Sequence, residues 1–580
     1  MRRLPRWALL VLCLAYVLPG FVGREPWKSA DVTSFGVMRM MARGETDWLT
    51  PTVLGLPSDT QAWLPHWLGA SAMWLLPAWP EMASRLPYMA ALLLSLFFTW
   101  HAVYRMALLP AAQPVSFAFG GQASPVDYAR ALADSGVMAL MACLGLAQLS
   151  HEATPDTFQL MAVAGLLHAI ALGQHRRLWT RTATLGWLSG LVTLGLSGQG
   201  LMALAVAVLL PWVQWHTGSD RGATPADRAP ATSDSPRTHR RIDAAWPLGV
   251  LVALITAGWV VMWGGQTWPP AVNTTNASDA LTLLIWFAWP VWPLAIWTLW
   301  RWRRHLHHAH LIVPLLFAAL MVLGSVLQGN SDRVLMLSLP ALSVLAAFAL
   351  PTLRRSVSAL IDWFSVLFFT TSATVIWVVW VAMVTGYPSK PAANVARLAP
   401  GFVAEFGPLA FAVAAVATLV WLRVVAWRLG KHQPVIWKSL VLPATGGVLC
   451  WLLLMTLWLP LLDYGRSYGP ISRRMAALIE PDECVQTHGL TQAQLLGLMH
   501  QGHLDLRRLP NTDTCTYLIV PADRHGDPGF DEAKWTFKAR LNRLNDRRES
   551  LLLFTKISVS QAPFEALEST AGRGLQAVAE

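Results

Sequence analysis

REPWKSADVTSFGVMRMMARGETDWLTPTVLGLPSDTQAWLPHWLGA, residues 24–70, decides how the rest of the chain is read. It follows the first apolar run, and it is too long and too rich in Trp and Pro to be a plain connector. Asp31 is its first carboxylate clear of that run. The residues after it, VTSFGVMRMMARG, have a helical pattern, so Asp31 is either an exposed or capping residue of that helix or a group with chemistry to perform. We read the stretch as the floor of a site at a membrane surface.

Composition supplies the membrane. Only 13% of the 580 residues are charged, against about 25% in a soluble domain. With 54% hydrophobic residues, this defines a polytopic α-helical membrane protein. Trp27, Trp79, Trp215, Trp246, Trp268 and Trp300 fall near the ends of apolar runs, where an amphipathic ring suits the headgroup level. The net charge of +11 reads as cytoplasmic Arg and Lys, not as a nucleic-acid surface.

Hydropathy gives about thirteen spans, at 8–22, 85–104, 131–150, 157–174, 182–196, 201–215, 246–263, 281–300, 311–327, 334–350, 361–384, 406–427 and 439–462. Alternation puts Arg176, Arg177, Arg181, Arg301, Arg303, Arg304, Arg354, Arg355, Arg428, Lys431 and Lys438 on one side, while the short loops opposite hold little beyond Arg333. That asymmetry predicts a cytoplasmic N-terminus, with residues 24–84 and 463–580 on the outer face, which for a protein of the cell inner membrane is the periplasmic one. The segment 216–244, rich in Pro, Ser and paired charges, reads as a disordered cytoplasmic linker. RWRRHLHHAH (301–310) reads as a basic flank, since no carboxylate or Cys lies near its histidines.

Residues 1–462 therefore form the membrane domain and 463–580 a small α/β domain. In the latter, CVQTHGL, CTYLIV and LLLFTKISV read as strands, and TQAQLLGLMHQG and DEAKWTFKARLNRLNDRRES as helices. Cys484 and Cys515 are the only cysteines there, and an oxidising compartment would join them as a disulfide. Cys13, Cys143 and Cys450 lie in apolar runs.

A long loop after the first span, many spans and a C-terminal soluble domain together resemble the GT-C glycosyltransferases. The nearest branch is that of the aminoarabinose transferases and protein O-mannosyltransferases. Asp47-Trp48-Leu49-Thr50-Pro51, Leu56-Pro57 and Leu64-Pro65-His66-Trp67-Leu68 match blocks of that family, and Asp31 stands where the Asp of its Asp-Glu pair stands. GNSDRVLMLSLPALSVLAAF and LPLLDYGRSYGPI are similar to later family segments. The chain departs from the pattern at Val32, which replaces the Glu of the pair, and at Thr60-Gln61-Ala62-Trp63, which replaces Glu-Lys-Pro-Pro.

The resemblance implies a sugar donor linked to polyprenyl phosphate and an acceptor on the outer face: lipid A, a glycan or a protein. It implies a catalytic Asp31, as base or metal carboxylate, and substrate contacts from His66 and Trp67. The residues add a second set. His151, Glu152 and Asp156 crowd one short turn on the same face, and the two acids read either as catalytic carboxylates or as a capped turn with Asp156 opening the next span. His151 and Glu152 are candidate ligands for a divalent cation, the cofactor being otherwise unknown. Arg333 and Arg85 are candidate phosphate contacts, since a guanidinium matches phosphate bidentately. Asp134 reads as a helix cap. A transporter of lipid-linked intermediates and a non-catalytic scaffold are the competing classes. The near absence of charge inside the spans argues against the first, and the replaced Glu and Lys keep the second open. No P-loop or GxSxG motif occurs.

Overall fold

A computed structural model describes residues 4–60, 62–114, 124–175, 181–218, 236–264, 277–430, 438–508, 515–524, 534–543 and 546–557. The chain opens with α1 (Arg6–Val17) and α2 (Lys28–Arg43). Gly44 closes α2 with a φ of 73°, a left-handed turn that glycine adopts without strain. Strands β1 (Thr52–Val53) and β2 (Leu56–Pro57) pair as a small hairpin before α3 (Trp63–Leu75). The bundle continues through α4 (Pro80–Ala107), α5 (Pro125–Met141), α6 (Leu144–Leu149), α7 (Pro155–His175), α8 (Arg181–Leu196), α9 (Gly200–Gly218) and α10 (Pro236–Gly264). Next come α11 (Ala277–Phe287), α12 (Val291–Arg301), α13 (Ala309–Leu327), α14 (Asp332–Met336), α15 (Leu339–Ala349) and α16 (Arg355–Thr385). After α17 (Ser389–Leu398), α18 (Pro408–Leu429) and α19 (Lys438–Leu457), the short helices α20 (Leu459–Arg466) and α21 (Gly469–Ala476) lead into the C-terminal domain.

The apolar runs are helical, but the count of thirteen spans is not confirmed. Among the described residues, six helices are long and apolar enough to cross a membrane: α4, α7, α13, α16, α18 and α19. A seventh crossing is possible if α11 and α12, bent by 99°, form one span. The other runs are short or broken. Residues 131–150 divide at Ala142 and Cys143, 334–350 divide between α14 and α15, and 281–300 breaks at Pro290, which cannot donate the backbone hydrogen bond a continuous helix needs. Apolar composition sets preference for lipid, not straightness. The linker reading of 216–244 falls largely outside the described residues, though α10 already begins at Pro236. Asp134 is no cap. It is buried within α5 and accepts a hydrogen bond from Trp100 Nε1 at 2.8 Å, while Ser124 caps the helix.

Helix α4 packs on α3, α5 and α7, and α19 packs on α5, α16 and α18. The C-terminal domain sits on the end of this bundle that carries the loops around α2. Its strands β3 (Val485–Thr487), β4 (Leu506–Arg508), β5 (Tyr517–Pro521), β6 (Trp535–Arg543) and β7 (Asp546–Lys556) form one sheet in the order β4-β3-β5-β7-β6. The first three are parallel; β7 is antiparallel to both β5 and β6. Cys484 and Cys515, just before β3 and β5, are disulfide-bonded. Within DEAKWTFKARLNRLNDRRES, expected as a helix, the described residues instead form strand β6 and the start of β7. Trp535, Phe537, Ala539 and Leu541 alternate with polar residues at the two-residue period of a strand, and pairing with β7 fixes it.

Between β3 and β4 the chain forms α22 (Gln492–Gln501), which lies against α2. Gly36 permits the approach, because a Cβ there would stand 2.8 Å from the Leu496 side chain. Gln492 fastens the domain to the β1–β2 segment, accepting from the Asp59 N–H at 2.8 Å and donating to the Pro57 carbonyl.

Candidate active site

Asp31 lies in the first turn of α2 and is 1% exposed. Its Oδ2 accepts from Arg24 Nη2 and from the Trp27 backbone N–H, both at 2.9 Å. Its Oδ1 accepts from the Ala153 backbone N–H, also at 2.9 Å. Arg24 Nη2 in turn donates to the His151 carbonyl at 2.9 Å. The loop before α2 and the 151–156 turn are thus brought together. The carboxylate also satisfies an N–H at the start of a helix, where the positive end of the helix dipole favours it.

Glu152 and Asp156 stand on the same turn and share one cation. Arg333, at the start of α14, bonds Glu152 Oε2 through Nη2 at 2.5 Å and Asp156 Oδ2 through Nη1 at 2.6 Å. Thr154 Oγ1 donates to Asp156 and accepts from Arg333. Gln148 Nε2 donates to Glu152 Oε1 at 3.3 Å. Burial pushes the Glu152 carboxyl up and Arg333 pulls it down, leaving it above its ordinary value. Burial works against the Arg333 charge, but Asp156 and Glu152 outweigh it and hold that guanidinium above its own ordinary value.

The other expected residues have different surroundings. His151 is buried, with Nδ1 on the Ala147 carbonyl and Nε2 on the Tyr16 carbonyl at 3.0 Å, among the rings of Tyr16, Phe21 and Trp451. Gly20 makes room for it, since a Cβ there would fall 2.3 Å from the imidazole. Both ring nitrogens face backbone carbonyls, and no group of three metal-ligating side chains occurs among the described residues. No such group gathers around His151 and Glu152 among the described residues, and the Glu152 carboxylate is paired with Arg333. His66 is fully buried with both ring nitrogens unpartnered among the described residues, and burial pushes it down to about 4. Trp67 spends its indole N–H on the Trp48 carbonyl at 2.8 Å. Arg85 is 2% exposed and donates from Nη1 to the Phe21 carbonyl at 3.2 Å.

Three residues complete the cluster. Trp27 is buried, and the guanidinium carbons of Arg24 and Arg466 lie 4.6 and 5.2 Å from its ring centroid, in cation–π range. Its Nε1 donates to Asp463 Oδ1 at 2.6 Å, and the Glu25 N–H reaches the same oxygen at 3.3 Å. Sequence reasoning missed Asp463. The available signal was a carboxylate directly after the last long apolar run, inside a segment already noted for its resemblance. Burial pushes its carboxyl up to about 7; the Trp27 hydrogen bond opposes the rise and Glu25 adds to it. Burial lowers Arg466, with Glu152 opposing and Arg24 contributing.

Beside this cluster a groove of about 540 Å³ opens between α5, α6, α16 and α19. Its lining includes Ala147, Gln148, Phe368, Val375, Cys450 and Trp451. Gln148 and Trp451 link it to the cluster, the first through Glu152 and the second through its packing on His151.

Membrane-length helices, a sheet domain docked over them and a polar cluster at the junction define a membrane-embedded architecture that solved structures share. Two crystal structures of ArnT, the aminoarabinose transferase from Cupriavidus metallidurans, match it with a TM-score of 0.58 at 14% identity. One is the apo state, the other is bound to undecaprenyl phosphate, and each match covers 95% of this chain and 97% or 98% of the other. The likeness extends over both the bundle and the C-terminal domain, and it is a likeness of fold. No family model matches the chain, and no curated protein matches it in sequence.

Proposed function

We propose that this protein is a glycosyltransferase of the inner membrane that moves a sugar from a polyprenyl-phosphate-linked donor to an outer-face acceptor. One observation carries the reading. Among the described residues, Arg24 Nε and Nη1 and Arg85 Nη2 are buried N–H donors with no partner, and Arg466 beside them makes no side-chain hydrogen bond. Buried cationic donors left unpaired are costly, by about 1–3 kcal/mol or more each. A phosphate would satisfy them with charge-assisted bonds. The apolar groove next to them suits a hydrocarbon chain. A phosphate head with an apolar tail is the chemistry of a polyprenyl phosphate, and ArnT bound to undecaprenyl phosphate supports the same assignment.

In this reading Arg24, Arg85 and Arg466 hold the donor phosphate and neutralise it as it leaves. They take the place of the Lys absent from residues 60–63. Arg333 serves the turn instead, since two carboxylates already occupy it. The acceptor is a lipid, glycan or protein reached at the domain-bearing end, which the loop charges place outside, with the N-terminus in the cytoplasm. The test is turnover of labelled undecaprenyl-phosphate-linked pentoses and hexoses by purified protein. Wild type should release undecaprenyl phosphate from at least one, and Arg466→Ala should release it about 100-fold more slowly. Well-folded wild type that turns over none of them would contradict the proposal.

A further inference from the structure

The carboxylates of the cluster are not equivalent. Asp31 is enclosed, with both oxygens bonded and one of its donors a buried arginine. Glu152 and Asp156 are drawn onto Arg333. Asp463 differs from all three. It is only partly buried, its Oδ1 takes both hydrogen bonds, and its Oδ2 has no partner among the described residues. Arg466 lies one turn further along α20. Trp27 therefore meets a carboxylate at its N–H edge and guanidiniums over its ring, so a base and an anion site stand side by side on one rigid indole.

The geometry points to Asp463 as the catalytic residue that receives the acceptor's proton, with Asp31 a positioning residue that holds Arg24. This inference rests on the glycosyltransferase reading above. An acceptor hydroxyl oxygen bonds to the anomeric carbon of the donor sugar, and its proton passes to Asp463 Oδ2. The bond from that carbon to the phosphate oxygen breaks, and its electron pair leaves with the polyprenyl phosphate, which Arg24, Arg85 and Arg466 neutralise. Charged groups face Asp463 from several elements: Arg24 and Glu25 from the loop before α2, Arg85 from α4 and Arg466 from its own helix. On α21, Arg474 is turned to the Tyr464 hydroxyl and Arg473 lies by Gly469, near Glu25. Helix α19 brings no acid or base to this end. A carboxyl that ionises near 7 is matched to proton transfer at neutral pH.

The experiment measures undecaprenyl phosphate release from whichever undecaprenyl-phosphate-linked sugar wild type turns over, from pH 5 to 9. Wild-type kcat should rise with pH to a plateau, with its midpoint near 7. Asp463→Asn should lose about 100-fold or more in kcat, keep KM within about threefold and lose the pH step. Asp463→Glu should restore part of kcat with a displaced midpoint, which a purely structural role would not produce. An Asp463→Asn protein that keeps more than a tenth of kcat, or the wild-type pH midpoint, overturns the assignment while leaving the glycosyltransferase reading in place. Wild type without turnover of any donor removes both. Labelling with a water-soluble carbodiimide and glycine ethyl ester gives a readout independent of the sugar. Asp463 should be modified well before Asp31, and equal rates would overturn the difference in access.

Discussion

Arg24 Nη2 lies 2.9 Å from Asp31 Oδ2, and both side chains are buried to within 1%. The pair joins the loop before α2 to a turn more than a hundred residues later, because Arg24 also holds the His151 carbonyl and Asp31 the Ala153 N–H. Removing one partner strands the other's charge in a dry site. Asp31→Ala and Arg24→Ala should each destabilise the protein by about 3–5 kcal/mol. The double substitution should cost less than the sum, because neither charge is then left alone. Thermal unfolding in detergent checks this. If Asp31→Ala unfolds like wild type yet abolishes transfer, the role of Asp31 is chemical and the positioning account is wrong.

Arg333 should behave as the clasp of the 151–156 turn. Arg333→Ala leaves Glu152 and Asp156 facing one another, and the expected loss is about 2–3 kcal/mol. That is below the fully buried figure because the Arg333 side chain is 27% exposed. Lysine should recover little, since it cannot span two carboxylates with a planar fork. Stability equal to wild type in Arg333→Ala would leave the short contacts without energetic weight.

Asp463 should also register in stability. Folded, it keeps its proton up to about 7, whereas an unfolded aspartate loses it near 3.9. The native state then binds more protons between those values, so this residue's contribution falls as pH rises from about 4 to about 7. Asp463→Asn should raise the unfolding midpoint by roughly 2–4 °C at pH 8 and leave it unchanged at pH 4. A gain at pH 4 as large as at pH 8 would contradict the shift.

How much of this was readable in the sequence depended on which interactions are local. Hydropathy located the helices, because lipid solubility is a property of composition. It could not show where runs such as 131–150 and 334–350 bend, which neighbouring helices decide. Asp31, Glu152, Asp156 and Arg333 were all identifiable by residue type and loop position, and the fold places them at one junction. Their pairing was not readable: Arg333, expected to meet phosphate, is occupied by carboxylates. Arg85 was identifiable as a cation near the membrane edge, but its orphaned N–H and those of Arg24 arise from burial by distant segments. Strand β6 was misread because charge density masked a two-residue alternation.

Orientation is tested by chemistry from each side. In a background lacking Cys13, Cys143 and Cys450, Glu45→Cys and Arg303→Cys should react with a membrane-impermeant maleimide from opposite faces, since both positions are exposed. Reaction from the same face would remove the alternation on which the outward placement rests.

The groove makes a separate prediction. Cys450 lines it, so undecaprenyl phosphate should slow its alkylation. Ser372→Trp, placed in the same lining, should weaken lipid binding about tenfold or more by filling the space. Unchanged alkylation in saturating lipid would place the chain elsewhere.

The most direct test of the central claim is binding of undecaprenyl phosphate, with undecaprenol as the competitor that lacks only the phosphate. If Arg24, Arg85 and Arg466 form the anion site, wild type binds undecaprenyl phosphate, undecaprenol competes poorly, and Arg466→Ala weakens binding by about tenfold or more without changing thermal stability. Equal affinity for the phosphate and the alcohol, or binding indifferent to Arg466, would contradict the account.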